Sequence, residues 1–261
     1  PDNVEEVDAD FVSISYNPYG GGFSLDHFLL SLLPKAWFRA DAGVLKSDGS
    51  AAASGDAVAT WQDQSGNGYH LSQTDAARQP VYTSGILTTN VLRFDGSNDY
   101  LLLATFPSIN LADCTVLAVL RQHSGSGADA GVLVIGASGT GEPYGSSTGM
   151  YLALGGTSQL WVTGANTARA AVSGSGNTPW SCWSGRVFAT SVAASMAGLV
   201  VGTGTGSVGS SLSGLLLGAY WLNGPTSFAA VDVAELLIFD RALADGAIGI
   251  LASALRARWS I

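Results

Sequence analysis

A chain of 261 residues is long enough for one large β-sandwich with a substantial buried core. Charged residues make up only 12% of it, and 34 glycines favour many short strands joined by tight turns over a solvated helical protein. The net charge of −9 argues against nucleic acid as a partner, and no apolar run reaches the ~18 residues of a membrane-spanning helix, so we expect no membrane insertion. Two cysteines, Cys114 and Cys182, are too few for a disulfide framework, and we expect buried free thiols rather than a bridge.

The first 23 residues differ in composition from the rest of the chain. Five of the first ten are acidic and none is basic, so their repulsion predicts an extended arm over 1–23. No basic segment followed by an apolar stretch begins the chain, and we therefore expect no signal peptide. We expect the arm to dock on a partner through apolar side chains, and the alternative is a disordered terminus. Those side chains are Phe11, Val12, Ile14, Tyr16 and Tyr19.

Two helices and many short strands are predicted after the arm. Ser24 is typical of an N-cap, helical spacing follows it, and Pro34 stops the pattern, which predicts a short helix over 24–33. A second helix is predicted over 244–258. Between them, apolar runs are separated by Gly, Ser and Asn, and several are apolar on both faces, which indicates two packed sheets. The predicted strands include Ala36–Arg39, Val58–Gln62, Val91–Phe94, Thr115–Arg121, Val132–Ile135, Tyr151–Leu154, Leu160–Thr163, Arg186–Ser191, Leu199–Gly202, Leu215–Trp221 and Val231–Phe239.

Three motifs occur in order along the predicted domain, 24–261. They are Trp61-Gln-Asp-Gln-Ser-Gly-Asn-Gly-Tyr-His70, Leu92-Arg-Phe-Asp-Gly-Ser-Asn-Asp-Tyr-Leu101 and Ala234-Glu-Leu-Leu-Ile-Phe-Asp-Arg-Ala-Leu243. Together they resemble the laminin-G-like jelly roll of the concanavalin A-like lectin/glucanase superfamily. The resemblance implies an all-β fold, a two-sheet antiparallel jelly-roll sandwich with a short N-terminal helix and a C-terminal helix. The segment Ala36–Gly43 is similar to versions found in phage virion proteins and bacterial surface proteins.

Carboxylate pairs are the first catalytic groups to look for in such a fold, because related glucanases place a nucleophile and an acid on one strand face. The nearest match, Glu6-Val-Asp-Ala-Asp10, lies in the arm and not in the predicted sandwich. In the strand predicted over 231–239, Asp232 and Glu235 have opposite parity, so we expect them to face opposite sides of the sheet. The sequence therefore predicts no catalytic residue and a protein that is not an enzyme.

Aromatic residues near loops are the candidates for sugar binding, since aromatic rings stack on pyranose faces beside amide and carboxylate groups. Trp180 and Trp183 lie in a loop rich in Gly, Asn and Pro, and Trp180 is the tryptophan that we expect to be exposed. Tyr144, Trp221 and Asn223 also lie near predicted loop ends. These five residues form the predicted carbohydrate-binding set.

Calcium is the candidate cofactor. Asp63 and Asn67 in the first motif, with Asp95, Asn98 and Asp99 in the second, supply the hard oxygen ligands that calcium prefers. The resemblance adds that domains of this superfamily often bind calcium. The alternative is that these side chains cap their own turns.

The sequence leaves three functions open. We expect a non-catalytic virion structural protein of a phage, a head decoration or tail-fibre component with a lectin-like domain. Its location would be the virion, and its partners would be other virion proteins, further copies of itself and cell-surface glycans. The first alternative is a carbohydrate-binding or adhesive module of a bacterial surface or secreted protein. The second is a glycoside hydrolase, which would need carboxylates that the predicted sandwich lacks.

Overall fold

The computed structural model describes residues 24–84, 86–87, 89–106, 113–122, 130–136, 149–154, 159–164, 168–173, 179–188, 191–205, 214–221 and 224–261. At 134, 136, 149–154, 159–164, 168–173, 201, 205 and 221 it describes the backbone alone. The chain divides into two compact units, Pro1–Leu32 and Leu33–Ile261. The predicted arm lies outside the described residues, so its role and its boundary at residue 23 stay predictions.

The described residues contain two α-helices, α1 (Leu25–Ser31) and α2 (Asp245–Trp259), and a 3-10 turn over Ala76–Arg78. The first ten strands are β1 (Ala36–Arg39), β2 (Val44–Leu45), β3 (Thr60–Trp61), β4 (Leu71–Ser72), β5 (Val81–Thr83), β6 (Val91–Asp95), β7 (Leu101–Leu103), β8 (Cys114–Gln122), β9 (Ala130–Gly136) and β10 (Gly149–Leu154). The others are β11 (Gln159–Gly164), β12 (Ala168–Ser173), β13 (Ser181–Phe188), β14 (Ser191–Met196), β15 (Leu199–Thr205), β16 (Gly214–Leu217), β17 (Tyr220–Trp221), β18 (Pro225–Thr226) and β19 (Ala230–Phe239). Neither described helix has the length and apolar character that a membrane crossing requires.

The N-terminal unit contains α1, and its start follows the predicted capping pattern. The Ser24 side-chain oxygen accepts a hydrogen bond from the backbone N–H of His27 at 3.2 Å, which satisfies one of the free donors of the first turn. The helix stops at Ser31, three residues before Pro34. The predicted helix is confirmed, although it is shorter than the predicted 24–33.

Two antiparallel sheets form the second unit, and the predicted two-sheet sandwich is confirmed. Sheet A has the strand order β15-β14-β13-β8-β19-β6-β5, and β1 also pairs with β19. Sheet B has the order β12-β11-β10-β9-β16-β7-β4-β3-β2. The short strands β17 and β18 pair with each other. Strand β19 lies between β8 on one side and the two short strands β6 and β1 on the other.

Large side chains from the two sheets meet in the core. The ring of Phe38 on β1 lies 5.5 Å from the ring of Trp61 on β3, so this face of sheet A packs against sheet B. Phe94 on β6 reaches the turn after β16, where a β-carbon on Gly218 would clash with its ring. Gly218 also has a positive φ of 90°, and both constraints demand glycine there. We call the face of sheet A that points away from Phe38 and sheet B the outer face.

Strand β19 carries two carboxylates on its outer face because it contains a β-bulge. All ten of its residues are buried. Asp232 lies opposite Arg121 of β8, and Glu235 lies opposite Val119, with a register shift between them. Three residues of β19 therefore span two residues of β8, and both side chains point the same way. The expectation that Asp232 and Glu235 face opposite sides is wrong, since strand parity holds only without a bulge.

Glu235 joins β1, β19 and α2. The indole N–H of Trp37 donates to its Oε1 at 2.7 Å, and the indole N–H of Trp259 donates to its Oε2 at 2.6 Å. Arg258 donates to Oε1 at 2.7 Å, and the Glu235 side chain is fully buried. Burial raises the pKa of the Glu235 carboxyl, while Arg258 and the two indoles oppose that rise. The two indoles and the guanidinium group all donate N–H hydrogen bonds, and an ionised carboxylate, which only accepts, can satisfy all three.

The segment that precedes α2, residues 241–243, is hydrogen-bonded to the outer face of sheet A. The Thr115 hydroxyl donates to the carbonyl of Arg241 at 2.8 Å and accepts from the N–H of Leu243 at 2.9 Å. Arg186, which is 2% exposed, donates to the carbonyl of Leu243 at 3.0 Å. Helix α2 is thus held near both ends by polar groups of sheet A, and it covers that half of the outer face.

Both cysteines are free and buried, as the sequence predicts. Burial raises the pKa of the Cys114 and Cys182 thiols to about 12. Neither thiol is a nucleophile near neutral pH, since reactivity follows the thiolate.

The Glu235 contacts predict a large loss of stability on Glu235→Leu. The variant leaves Arg258, whose side chain is 12% exposed, without its carboxylate, and breaking a buried pair costs about 3–5 kcal/mol. Urea denaturation followed by tryptophan fluorescence measures this change in the free energy of unfolding. The double variant Glu235→Leu/Arg258→Met removes both charges and should regain part of the loss. A single variant within about 1 kcal/mol of the wild type would contradict the structural role.

Candidate ligand-binding surface

The part of the outer face nearest residue 232 carries a row of polar and aromatic side chains across neighbouring strands. Asp232 on β19 lies directly opposite Arg121 on β8 and opposite Arg93 on β6. Ser181 of β13 pairs with Leu120, which brings the preceding Trp180 beside Arg121. We call Trp180, Arg121, Asp232 and Arg93 the outer-face row.

The Asp232 carboxylate holds both guanidinium groups. Arg93 donates through Nε to Oδ1 at 2.7 Å and through Nη2 to Oδ2 at 2.9 Å, and Arg121 donates through Nε to Oδ2 at 2.8 Å. Asp232 is fully buried, whereas 35% of the Arg93 side chain and 30% of the Arg121 side chain remain exposed. The hydrogen bond to Asp232 raises the pKa of Arg93. A buried anion therefore fixes two cations that stay accessible from solvent.

Trp180 extends the row beyond Arg121. It is partly exposed, and the guanidinium carbon of Arg121 lies 5.4 Å from the centre of its ring, within cation–π range. Its indole nitrogen is buried and has no hydrogen-bond partner among the described residues. The predicted solvent access of Trp180 is confirmed in part, since one side of the ring contacts Arg121.

The other predicted sugar-binding residues do not join this row. Trp183 is 2% exposed and lies opposite Ala118 within sheet A, so it cannot stack on a sugar, and its predicted binding role is wrong. It lies inside the buried part of strand β13, because β13 begins at Ser181, earlier than the sequence predicts. Tyr144 and Asn223 lie outside the described residues, and the structure describes only the backbone of Trp221. For these three the sugar-binding assignment stays a prediction.

In the first of the two loops predicted to bind calcium, Asp63 accepts hydrogen bonds from the protein. It is 8% exposed, and its Oδ1 accepts from the backbone N–H of Trp37 at 2.9 Å. Its Oδ2 accepts from the N–H of Tyr69 at 3.1 Å. Asn67 donates its amide N–H to the carbonyl of Lys35 at 3.1 Å. Asp63 thus ties its own turn to β1, which is the capping alternative of the sequence analysis.

The second loop is organised in the same way. Asp95 Oδ1 accepts from the N–H of Ser97 at 2.7 Å, and Asn98 donates its amide to the carbonyl of Ala77 at 2.7 Å. Asp99 accepts from the N–H of Asp95 at 3.0 Å and is 6% exposed. Burial raises the pKa of Asp99 to about 6. In the described part of the chain, no three His, Cys, Asp or Glu side chains come close enough together to hold a metal.

Sequence reasoning missed the two arginines of the row. In the sequence Arg93 belongs to the second motif, Arg121 ends a predicted strand, and Asp232 is a candidate only as a catalytic carboxylate. A signal was present, because a charged residue inside an apolar strand is unusual in a chain with only 12% charged residues. What the sequence did not show is that three such residues lie side by side on three strands.

Comparisons with known proteins bear on the fold. No family model matches the chain, and no curated protein matches it. Among solved structures, a GH54 α-L-arabinofuranosidase soaked with a cyclic sulfate inhibitor aligns with a TM-score of 0.63 at 12% identity, over 87% of this chain and 63% of that one. A Trypanosoma rangeli sialidase aligns with a TM-score of 0.57 at 14% identity, over 85% of this chain and 32% of that one.

A third match is a single domain. Domain 4 of a GH43 extracellular arabinanase from Geobacillus stearothermophilus, in complex with arabinotriose, aligns with a TM-score of 0.53 at 16% identity, over 84% of this chain and 98% of that domain. The chain therefore spans less than two thirds of the length of the arabinofuranosidase and about one third of the length of the sialidase. It spans nearly the whole length of the arabinanase domain. At these identities the likeness shows a shared fold, a β-sandwich that occurs in carbohydrate-active proteins.

The hydrogen bonds that Asp63 and Asp95 accept predict that removal of calcium leaves the melting temperature of the domain unchanged. Asp63 and Asp95 already accept hydrogen bonds from backbone N–H groups of their own turns, so these turns are held in place without an ion. The melting temperature should be the same within about 1 °C in excess EDTA and in millimolar calcium. A rise of several degrees with calcium, lost on chelation, would show that the two loops bind the ion.

The raised pKa of Asp99 predicts a pH-dependent contribution to stability. The unfolded carboxyl titrates near 3.9 and the folded one at about 6, so the folded state holds more protons between these values. The free energy of unfolding contributed by Asp99 is therefore lost as pH rises from about 4 through about 6. Asn does not titrate, so Asp99→Asn does not lose this contribution. As pH rises from about 4 to above 6, the free energy of unfolding of the variant should therefore rise by about 1–2 kcal/mol relative to that of the wild type. Urea denaturation at each pH gives the difference curve, and a flat curve would exclude Asp99 as the titrating group.

Proposed function

We propose that this chain is a non-catalytic carbohydrate-binding domain and that the outer-face row is its sugar-binding surface. The observation that carries the proposal is the position of a partly exposed Trp180 in line with two partly exposed arginines on one sheet face. A tryptophan ring offers an apolar face to the C–H groups of a sugar ring. Guanidinium N–H groups donate to sugar hydroxyls beside it.

Rigidity of the surface supports the proposal. Arg93 and Arg121 stand on β6 and β8, on either side of β19, and Asp232 fixes the orientation of both guanidinium groups. Groups held in advance lose little conformational freedom when a ligand arrives, so modest contacts suffice for binding. Sugar binding typically relies on a few well-oriented polar groups beside apolar contact.

The state of the β19 carboxylates supports a role without catalysis. Glycoside hydrolysis needs one carboxyl group to protonate the leaving oxygen and a second to act as nucleophile or base. Asp232 and Glu235 share one face, but both are fully buried and bound by N–H donors. Neither is presented to a substrate in this arrangement. The absence of enzymatic activity is therefore part of the proposal.

The neighbouring structures support a sugar ligand by analogy. Three of them belong to proteins named as glycosidases or their domains, and the arabinanase domain carries arabinotriose. The chain matches that domain along nearly its full length, which favours a module over a complete enzyme. We further propose that the sandwich is of the laminin-G-like, concanavalin A-like kind, on the strength of the three ordered motifs.

The placement of the domain stays a prediction from the sequence. A virion protein and a bacterial surface or secreted module would both use a rigid glycan-binding sandwich. The segment Ala36–Gly43 is similar to versions found in both settings. In a virion the partners would be other virion proteins. Cell-surface glycans would be the ligands in either setting.

A Trp180→Ala variant tests the proposal. Isothermal titration with a panel of trisaccharides, including arabinotriose, galactotriose and trigalacturonate, should find at least one ligand for the wild type. The variant should bind that ligand about five- to thirtyfold more weakly, because aromatic stacking contributes ~1–2 kcal/mol. Leu199→Ala is the matched control, since Leu199 is 72% exposed on edge strand β15 and lies outside the row.

Two results would overturn this assignment. Equal binding by the wild type and Trp180→Ala would move the site elsewhere on the chain. Failure of every saccharide in the panel and of a wider glycan array to bind would remove the carbohydrate-binding function itself.

A further inference from the structure

We infer that the outer-face row selects an anionic sugar residue, one that carries a carboxylate or a sulfate ester. The inference rests on the proposed function and names the ligand class of the same surface. Its starting point is the charge of the row. Arg93 and Arg121 contribute two positive charges, and Asp232 contributes one negative charge, so one positive charge remains uncompensated within the row.

The positive charges of the row lie nearer to solvent than its negative charge. Asp232 is fully buried beneath the two arginines, whose side chains are 35% and 30% exposed. A ligand that approaches the outer face therefore meets guanidinium edges before it meets the carboxylate. The nearest acidic neighbour along β6 is Asp95, whose Oδ1 is occupied by the N–H groups of Ser97 and Asn98.

Unused donors on both arginines supply the recognition chemistry. A guanidinium group has five N–H donors, of which Arg93 commits two to Asp232 and Arg121 commits one. In the described part of the chain no other side chain accepts from either group. Planar pairs of N–H donors match carboxylate and sulfate oxygens, and such charge-assisted hydrogen bonds are stronger than bonds to a neutral hydroxyl.

Trp180 makes the site specific for a sugar rather than for any anion. It lies beside Arg121 with its ring 5.4 Å from the guanidinium carbon. One ligand can therefore place a ring face near Trp180 and an acidic substituent over the arginines. The chain as a whole has a net charge of −9, so its average field repels polyanions, and an acidic ligand depends on the local positive charge of the row.

The test compares ligands that differ only in charge. Isothermal titration should show that trigalacturonate binds at least about tenfold more tightly than its methyl ester, in which the same sugars carry no negative charge. A sulfated galactose trisaccharide distinguishes a sulfate ligand from a carboxylate ligand, and arabinotriose is the neutral reference. Raising sodium chloride from 50 to 500 mM should weaken binding of the acidic trisaccharide and leave binding of the neutral ones unchanged.

Arginine variants locate the effect. Arg93→Gln and Arg121→Gln should each reduce the preference for the acid over its ester by about tenfold or more, while Asp232 keeps one arginine partner. Arg93→Lys keeps the positive charge beside Asp232 but loses the planar pair of N–H donors. It replaces the glutamine variants in this measurement if they fail to fold. Arg78→Gln is the matched control, because Arg78 lies in the surface 3-10 turn and pairs with Asp75.

The outcomes separate this inference from the proposed function. Equal binding of trigalacturonate and its ester, or the same salt dependence for acidic and neutral ligands, overturns the inference and leaves carbohydrate binding intact. Binding of tri-glutamate as tight as that of the acidic trisaccharide overturns it also, since charge alone would then explain the affinity. If no saccharide binds, both proposals fail together.

Discussion

The β-bulge in β19 is the constraint on which the rest of the domain depends. It turns Asp232 and Glu235 to one face of the central strand, although three positions separate them in sequence. Two buried carboxylates on one face must each find cationic or N–H partners, because an uncompensated charge there would cost several kcal/mol. Arg93 and Arg121 fulfil that need for Asp232, and Arg258 with two indoles fulfils it for Glu235.

The partners of Glu235 and those of Asp232 come from different elements, and the two halves of the outer face differ as a result. Around Glu235 the partners include α2 itself, so the helix covers the sheet and excludes solvent. Around Asp232 the partners come from neighbouring strands, so the carboxylate is buried while the guanidinium groups stay accessible. One half of the face is therefore covered by the helix, and in the other half the guanidinium groups remain partly exposed to solvent. The same need to neutralise a buried carboxylate stabilises the fold in one place and creates a positive surface in the other.

Much of the fold follows from local patterns. The apolar run that forms β19 and the Ser24 cap of α1 are visible in the sequence, and β1 has its predicted bounds. Strands β12 and β14 escaped prediction because they are rich in Ala and Ser, which have low β-propensity and pack only through context. The strand predicted at 186–191 crosses from β13 into β14, since the apolar pattern did not mark the break between them.

The sequence by itself determined the all-β class and the two predicted helices and indicated the free thiols, because these depend on composition and on neighbours a few residues apart. It left open whether the aspartates of the two loops bind calcium or cap their own turns. Tertiary structure alone decided the outer-face row. Trp180, Arg121, Asp232 and Arg93 come from separate parts of the chain, and strand pairing brings them together. It also decided that Asp232 and Glu235 share a face, since a bulge is a property of two strands in register. Strand order and register are set by long-range packing, which local periodicity does not contain.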